Sequence, residues 1–196
     1  MGKGSETKDR ILDQAVRIAS RDGLEGLTIG SLSAELGLSK SGLFAHFGSK
    51  EELQCQVLQA AAERFKDGVL RTAIAAPRGE PRIRALFDRW LEWANRADMP
   101  GGCLLIAASI ELDDRPGPQR DYLVFAHRSR VAALAKAAQL AVDAGHFRAD
   151  LDPEQFAFDF YAITLGYHDH SRLLRDPKAE ERARNSFERL LASCRV

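Results

Sequence analysis

The sequence predicts an all-α protein of about nine helices, and three observations carry that prediction. Apolar residues recur at spacings of three and four almost throughout, the period of a buried helical face. No segment alternates apolar and polar residues strictly between turn residues, as a half-buried strand would. Breaks centred on glycine and proline divide the chain into segments of helical length.

The elements follow in order. Ile11, Leu12, Ala15, Ile18 and Ala19 mark one face of a helix from Thr7 to about Asp22, stopped by Gly23. Thr28 is placed to cap a second helix ending at Leu36, with Leu27 and Leu32 spaced as a hydrophobic staple. After Gly37, Ser39 is placed to cap a third, Lys40 to about His46, with Leu38 and Leu43 as its staple. Ser49-Lys50-Glu51-Glu52 reads as a capping box that opens a long fourth helix reaching about Thr72. Ala75 to Pro81 is a linker by composition, and Pro81 suits the first turn of a helix carrying Ile83, Leu86, Phe87, Trp90 and Leu91. Later breaks at residues 99–102, 115–118, 145, 152–153 and 176–177 leave helices over about 81–96, 103–112, 119–144, 153–174 and 178–192. The expected domains are residues 1–52 and 53–196.

At 196 residues the chain buries a core without staples, and 28 basic against 28 acidic residues push it toward no charged partner as a whole. Any nucleic-acid contact must be local. Cys55, Cys103 and Cys194 are odd in number, far apart and without metal spacing, which argues for reduced thiols in a cytoplasmic protein. The first ten residues are polar and no apolar run nears the roughly 18 residues of a membrane span, so neither a signal peptide nor a membrane helix is expected.

Two short helices around Gly37-Leu38-Ser39 have the spacing of a helix-turn-helix, with Leu32, Leu38 and Leu43 expected to lock their angle. The outward positions of the second are Lys40, Ser41, Gly42, Phe44, Ala45 and His46, mostly small, polar or basic side chains that let a helix approach base edges. Thr28, Ser39 and Lys50 lie at helix N-termini, where unpaired N–H groups and a partial positive charge favour phosphate. From Thr28 to Lys50 the only acid is Glu35, so this face is mildly basic.

The run from Thr28 to Leu53, with Leu43, His46, Phe47, Lys50 and Leu53 at these spacings, resembles the DNA-binding signature of the tetracycline-repressor (TetR) family. The resemblance implies phosphate or backbone contacts at Thr28, Ser39, His46 and Lys50, and base-edge reading by Lys40, Ser41, Gly42 and Ala45. That family commonly carries tyrosine where this chain has Phe44, whose ring is kept while the hydroxyl that commonly bonds a phosphate is lost. It also implies a larger helical C-terminal domain that dimerises through its last two long helices and holds an effector among the preceding ones. The expected function is a cytoplasmic homodimeric repressor, released from a palindromic operator by a small molecule.

The residues of the second domain permit this independently. Phe156, Phe160, Ile163 and Tyr167 lie on a helix that is apolar around most of its circumference, and with Phe187 and Leu190 they are the expected dimer interface. Phe65, Val69, Phe87, Trp90, Leu105, Ile106 and Phe125 are the expected pocket lining, equally serviceable as plain core.

Other classes find less support. In His168-Asp169-His170 the two histidines point about 200° apart on a helix and cannot easily share an ion, while His127 and His146 stand isolated in the sequence. No phosphate-cradling glycine loop, Ser/His/Asp signature or facing carboxylate pair is present, so no enzyme, metal or cofactor is expected. The competing reading is a helical ligand-binding or protein-interaction dimer without operator binding.

Overall fold

The computed structural model describes residues 3–196, which contain nine helices and no named strand. They divide into two compact units: residues up to Arg64 together with Asn95–Phe125, and Phe65–Ala94 together with Ala126–Val196.

The first unit begins with α1 (Lys3–Asp22), α2 (Ile29–Leu36) and α3 (Lys40–Phe47). Ile11, Ala15, Ile18 and Ala19 of α1 are buried, as the apolar period requires, and so are Leu27, Leu32, Leu43, Phe47 and Leu53. The turn between α2 and α3 places Gly37 in the left-handed region (φ 64°), and its N–H donates to Ser33 O. The Ser33 hydroxyl then donates to Leu38 O at 2.6 Å. Leu38 itself is 41 % exposed while Leu43 is fully buried, and this hydrogen-bonded turn helps to hold the corner.

The fourth helix, α4, runs continuously as Lys50–Phe65, a π-helical turn Lys66–Arg71 and a last turn Thr72–Ile74, and only its residues 50–64 belong to the first unit. That unit is completed by α6 (Leu104–Glu111) and the start of α7 (Pro118–Asp143). Ser20 fastens the loop before α6: its hydroxyl donates to Gly102 O at 3.1 Å and accepts from Gly101 N at 3.0 Å. A Cβ on Gly101 would lie 1.4 Å from Ser20 O, so only glycine fits that approach.

The second unit packs α5 (Glu80–Ala94), the rest of α7, α8 (Pro153–Arg172) and α9 (Ala179–Cys194) with the end of α4. Its centre is aromatic. Phe87 stacks on Phe187 with ring centroids 4.0 Å apart, and Phe160 meets both edge to face. Asp152 caps α8 ahead of Pro153 in its first turn. At the far end Arg148 N donates to Cys194 O at 2.8 Å, and Arg195 forms two bonds to the Glu80 carboxylate, at 2.9 and 2.6 Å.

Candidate nucleic-acid interface and ligand cavity

The α2–α3 unit is organised by its caps. Thr28 Oγ1 accepts from Ser31 N and Ser31 Oγ accepts from Thr28 N, both at 2.9 Å, a reciprocal box whose second member the sequence reading did not include. Ser39 Oγ accepts from Gly42 N at 3.1 Å and lies 3.2 Å from Ser41 Oγ. Ser49 Oγ accepts from Glu52 N at 3.0 Å, but the Glu52 carboxylate accepts instead from the side chain of Gln56 at 2.6 Å. Half of the expected box is therefore formed.

Along α3, Leu43 and Phe47 turn inward while Ser39, Lys40, Ser41, Gly42, Phe44, Ala45 and His46 are all exposed. Phe44 is 52 % exposed, a large apolar surface amid small and polar neighbours. Thr28 and Lys50 are half-buried. Lys50 Nζ donates to Glu25 at 3.0 Å, a partner 25 positions away that no motif announces. Glu35, the one acid of the α2–α3 stretch, faces Gln14 at 3.3 Å and Arg21 at 3.7 Å, so its charge is partly compensated from α1.

A second set of polar residues holds this surface from behind. The Glu111 carboxylate accepts from Leu24 N at 2.8 Å and Glu25 N at 2.7 Å, satisfying two N–H groups of the α1–α2 link. The buried Gln54 amide donates to Leu24 O at 2.7 Å and its oxygen accepts from Gln119 at 3.1 Å. Every partner here is more than 30 residues away except Gln54, which is 30 from Leu24, so no sequence period could find them.

The second unit contains a mostly apolar cavity of about 20 Å³, whose walls include Phe65, Val69, Leu86, Trp90, Arg130 and Thr164. Of the expected pocket residues it brings together Phe65, Val69 and Trp90. Phe87 is spent on its stack with Phe187, and Leu105 and Ile106 are buried in the first unit. Phe125 is 66 % exposed and belongs to the first unit as well, so it too lines no part of the cavity. An adjoining cleft of about 270 Å³ shares Leu70, Leu86 and Leu134 with the cavity. Arg130, which the sequence reading missed, was detectable as a charge three residues after His127 and ahead of the apolar run Val131-Ala132-Ala133-Leu134. His127 is accordingly not isolated: its Nδ1 lies 3.1 Å from Arg130 Nη2 and 3.2 Å from Tyr161 Oη.

Among the expected dimer residues, Phe156, Phe160, Tyr167 and Phe187 point into their own core, because the aromatic cluster consumes them. Ile163 and Leu190 are half-buried. The open surface of α8 and α9 is a groove of about 300 Å³ bordered by Ala162, Ile163, Gly166, His170, Arg182 and Ser186 and lined also by the buried Tyr167, so that Ile163 and Tyr167 of the expected residues face it. Nothing lies within 4 Å of where a Gly166 Cβ would stand.

The remaining candidates for chemistry disperse. His170 lies 3.4 Å from Asp176, while burial lowers the pKa of His168; among the described residues no three acidic, histidine or cysteine side chains form a metal-sized cluster. His146 accepts from Glu80 N at 3.1 Å, a helix-end role. All three cysteines are free thiols, and burial pushes Cys55 and Cys194 upward, away from a reactive thiolate. No described helix is long and apolar enough to cross a membrane.

Residues 11–54 match the family model "Bacterial regulatory proteins, tetR family", and residues 79–187, more than half of the chain, match "Tetracyclin repressor-like, C-terminal domain". A TetR transcriptional regulator from Chloroflexus aurantiacus J-10-FL superimposes with a TM-score of 0.86 at 25 % identity, over 98 % of this chain and 96 % of that one. The HTH-type transcriptional repressor DrrR1 of Streptomyces coeruleorubidus is 35 % identical over 103 residues, which are 48 % of this chain and 37 % of DrrR1. The biofilm operon icaADBC negative transcriptional regulator IcaR of Staphylococcus epidermidis is 31 % identical over 64 residues, 33 % of this chain and 35 % of IcaR. The chain thus spans little more than a third of the length of these two relatives.

Proposed function

This chain belongs to the tetracycline-repressor family, and we propose that it is a homodimeric transcriptional repressor that leaves a palindromic operator when a small molecule enters its second unit. The observation that carries the reading is the uninterrupted exposed strip of α3, Ser39 to Gly42 and Phe44 to His46, backed by buried Leu43 and Phe47. An exposed helix of small and polar side chains on a rigid support suits a major groove. Lys40, Ser41, Gly42 and Ala45 read base edges in this proposal. Thr28, Ser39, His46 and Lys50 grip phosphate, with Phe44 packing its ring against the backbone. DNA-binding and effector functions are assigned to residues 1–52 and 53–196, and no catalytic step is assigned.

Dimerisation through α8 and α9 would set two recognition helices in two-fold relation, about one helical turn of DNA apart or a multiple of it. The groove beside Ala162 and Gly166, where two backbones can approach closely, supports that face. A ligand then lowers operator affinity by as much as it prefers the non-binding conformer over the binding one.

Selection from a random duplex library tests the reading. The expected result is enrichment of a palindrome, with Lys50→Ala weakening binding on all sequences and reducing the salt slope by about one. The pairing of Lys50 with Glu25 favours the competing reading, a dimer without operator binding. A folded, dimeric protein that enriches nothing at low salt, with or without added ligand, would establish that alternative.

A further inference from the structure

We propose that the effector of this chain is an amphipathic monocarboxylate, an acid with an apolar body, held by Arg130; the inference rests on the effector role assigned above. Arg130 is 9 % exposed and lines the cavity of the second unit. Its guanidinium lies over the Tyr161 ring at 4.7 Å and over the Phe65 ring at 5.7 Å, and those faces hold the cation in place. They do not satisfy its donors, and Nε is buried without an acceptor. One terminal nitrogen meets His127 Nδ1, and because arginine only donates, that ring nitrogen accepts and brings no negative charge. Among the described residues no carboxylate stands within ion-pair distance of Arg130.

A second residue of the same lining also carries an unanswered donor. Trp90 is 3 % exposed and its indole Nε1 has no partner. Buried donors without acceptors are uncommon in folded proteins, and a buried cation without a counter-charge is more costly still. The two hydroxyls of the lining, Thr164, which donates to Tyr161 O at 2.7 Å, and Tyr161, whose Oη lies 3.2 Å from His127 Nδ1, accept from neither Arg130 Nε nor Trp90 Nε1. The two donors therefore lack an acceptor and the cation lacks a counter-charge, and a carboxylate supplies both.

The body of the ligand follows from the neighbouring space. The cavity at Arg130, about 20 Å³, has room for little more than a water molecule. The adjoining cleft of about 270 Å³ is lined mainly by alanine, leucine and isoleucine, and shares the Leu70, Leu86 and Leu134 walls. Rotation of those flexible leucines joins the two spaces into one of ligand size with Arg130 at one end; of the two cations that border the cleft, Arg82 is committed to the carbonyls of Ile74 and Ala76 and Lys136 is exposed. Leu70 of the shared lining and Val69 of the cavity belong to the π-helical turn of α4, a stretch able to change its hydrogen-bond register as the space opens.

The test is calorimetric titration of the full chain, free of DNA, with octanoate and phenylacetate beside octanamide and phenylacetamide. At least one acid is expected to bind ten or more times tighter than its amide, and Arg130→Gln to abolish that preference. Should Arg130→Gln fail to fold, the acid–amide ratio in the unaltered protein decides, with Trp90→Phe expected to weaken the acid several-fold. Equal affinity for acid and amide, or no binding of either acid, overturns the proposal and leaves Arg130 a packed cation over two rings. Operator affinity measured in parallel without ligand separates the two claims. Palindrome binding without acid binding sinks this inference alone, whereas acid binding without any operator sinks the repressor reading and leaves the carboxylate site standing.

Discussion

Phe44 is the residue at which this chain departs most visibly from its family's usual recognition helix, and its exposure makes the departure measurable. If α3 meets DNA as proposed, a half-exposed benzyl ring there would pack against sugar and phosphate but accept no hydrogen bond and donate none. Phe44→Tyr restores the donor without disturbing the core, because Leu43 and Phe47 already fill the inward positions. The expected outcome is tighter binding by about 1 kcal/mol, the typical net value of one hydrogen bond. The gain should be equal on the selected operator and on a scrambled duplex, because a phosphate contact carries no sequence information. Fluorescence anisotropy at fixed salt reads both, and a gain confined to the operator would show that the side chain reaches a base edge instead. At this scale the caps were legible and their partners only partly so. Thr28, Ser39 and Ser49 announce themselves because a cap is decided within three residues. The Glu52 half of the Ser49 box is not formed, and the carboxylate accepts from Gln56, one turn on. The grip of Glu25 on Lys50 joins positions that nothing but the fold brings together.

For whole helices, period and punctuation carry most of the information, and the ends of α2, α3 and α8 fall within a residue or two of their sequence-predicted places. What the period does not reveal is which of several buried faces an apolar side chain joins. Phe160 and Phe187 look equally suited to a subunit interface and to a core, and the aromatic stack with Phe87 decides for the core. The pocket residues divide for a related reason: Leu105 and Ile106 are apolar at helical spacing, yet α6 commits them to the first unit. The exposed face of α8 is then marked by what is small. Gly166 sits in a helix interior, where glycine costs about 1 kcal/mol relative to alanine, and nothing in its own subunit lies within 4 Å of where its Cβ would stand. If a second copy fills that space, Gly166→Arg leaves helicity and subunit stability unchanged or improved while placing a charge in a close-packed interface. We expect the dimer to weaken by about 3 kcal/mol, the scale of a buried unpaired charge, with monomers appearing in analytical ultracentrifugation. A dimer of unaltered strength would move the interface to another face.

Across the whole molecule, 28 positive and 28 negative charges cancel, and much of that charge is committed to surface ion pairs. One chain of pairs closes the second unit on itself: Arg195 holds Glu80, Glu80 holds Arg84, and Arg84 holds Glu188. The hydrogen bonds from Arg195, reinforced by Arg84, bring the Glu80 carboxyl from its ordinary 4.5 down to about 2. A depressed carboxyl stabilises the fold above its unfolded pKa and loses that contribution as pH falls. Glu80 thus contributes fully above about pH 4.5, and its share disappears between there and about pH 2. Glu80→Gln should lower stability at neutral pH by on the order of 1–2 kcal/mol, less than a shift of this size implies, because the guanidinium of Arg195 is nearly half exposed and water screens the pair. The unfolding free energies of the two proteins, followed by urea titration at successive pH values, should run parallel above pH 5 and converge toward pH 2. Protonation of the remaining carboxylates leaves the 28 lysine and arginine charges and those of the five histidines, protonated in this range, uncompensated and destabilises both proteins alike, so the difference between them isolates Glu80 from the general repulsion. A constant gap down to pH 2 would mean that Glu80 acts through packing rather than charge.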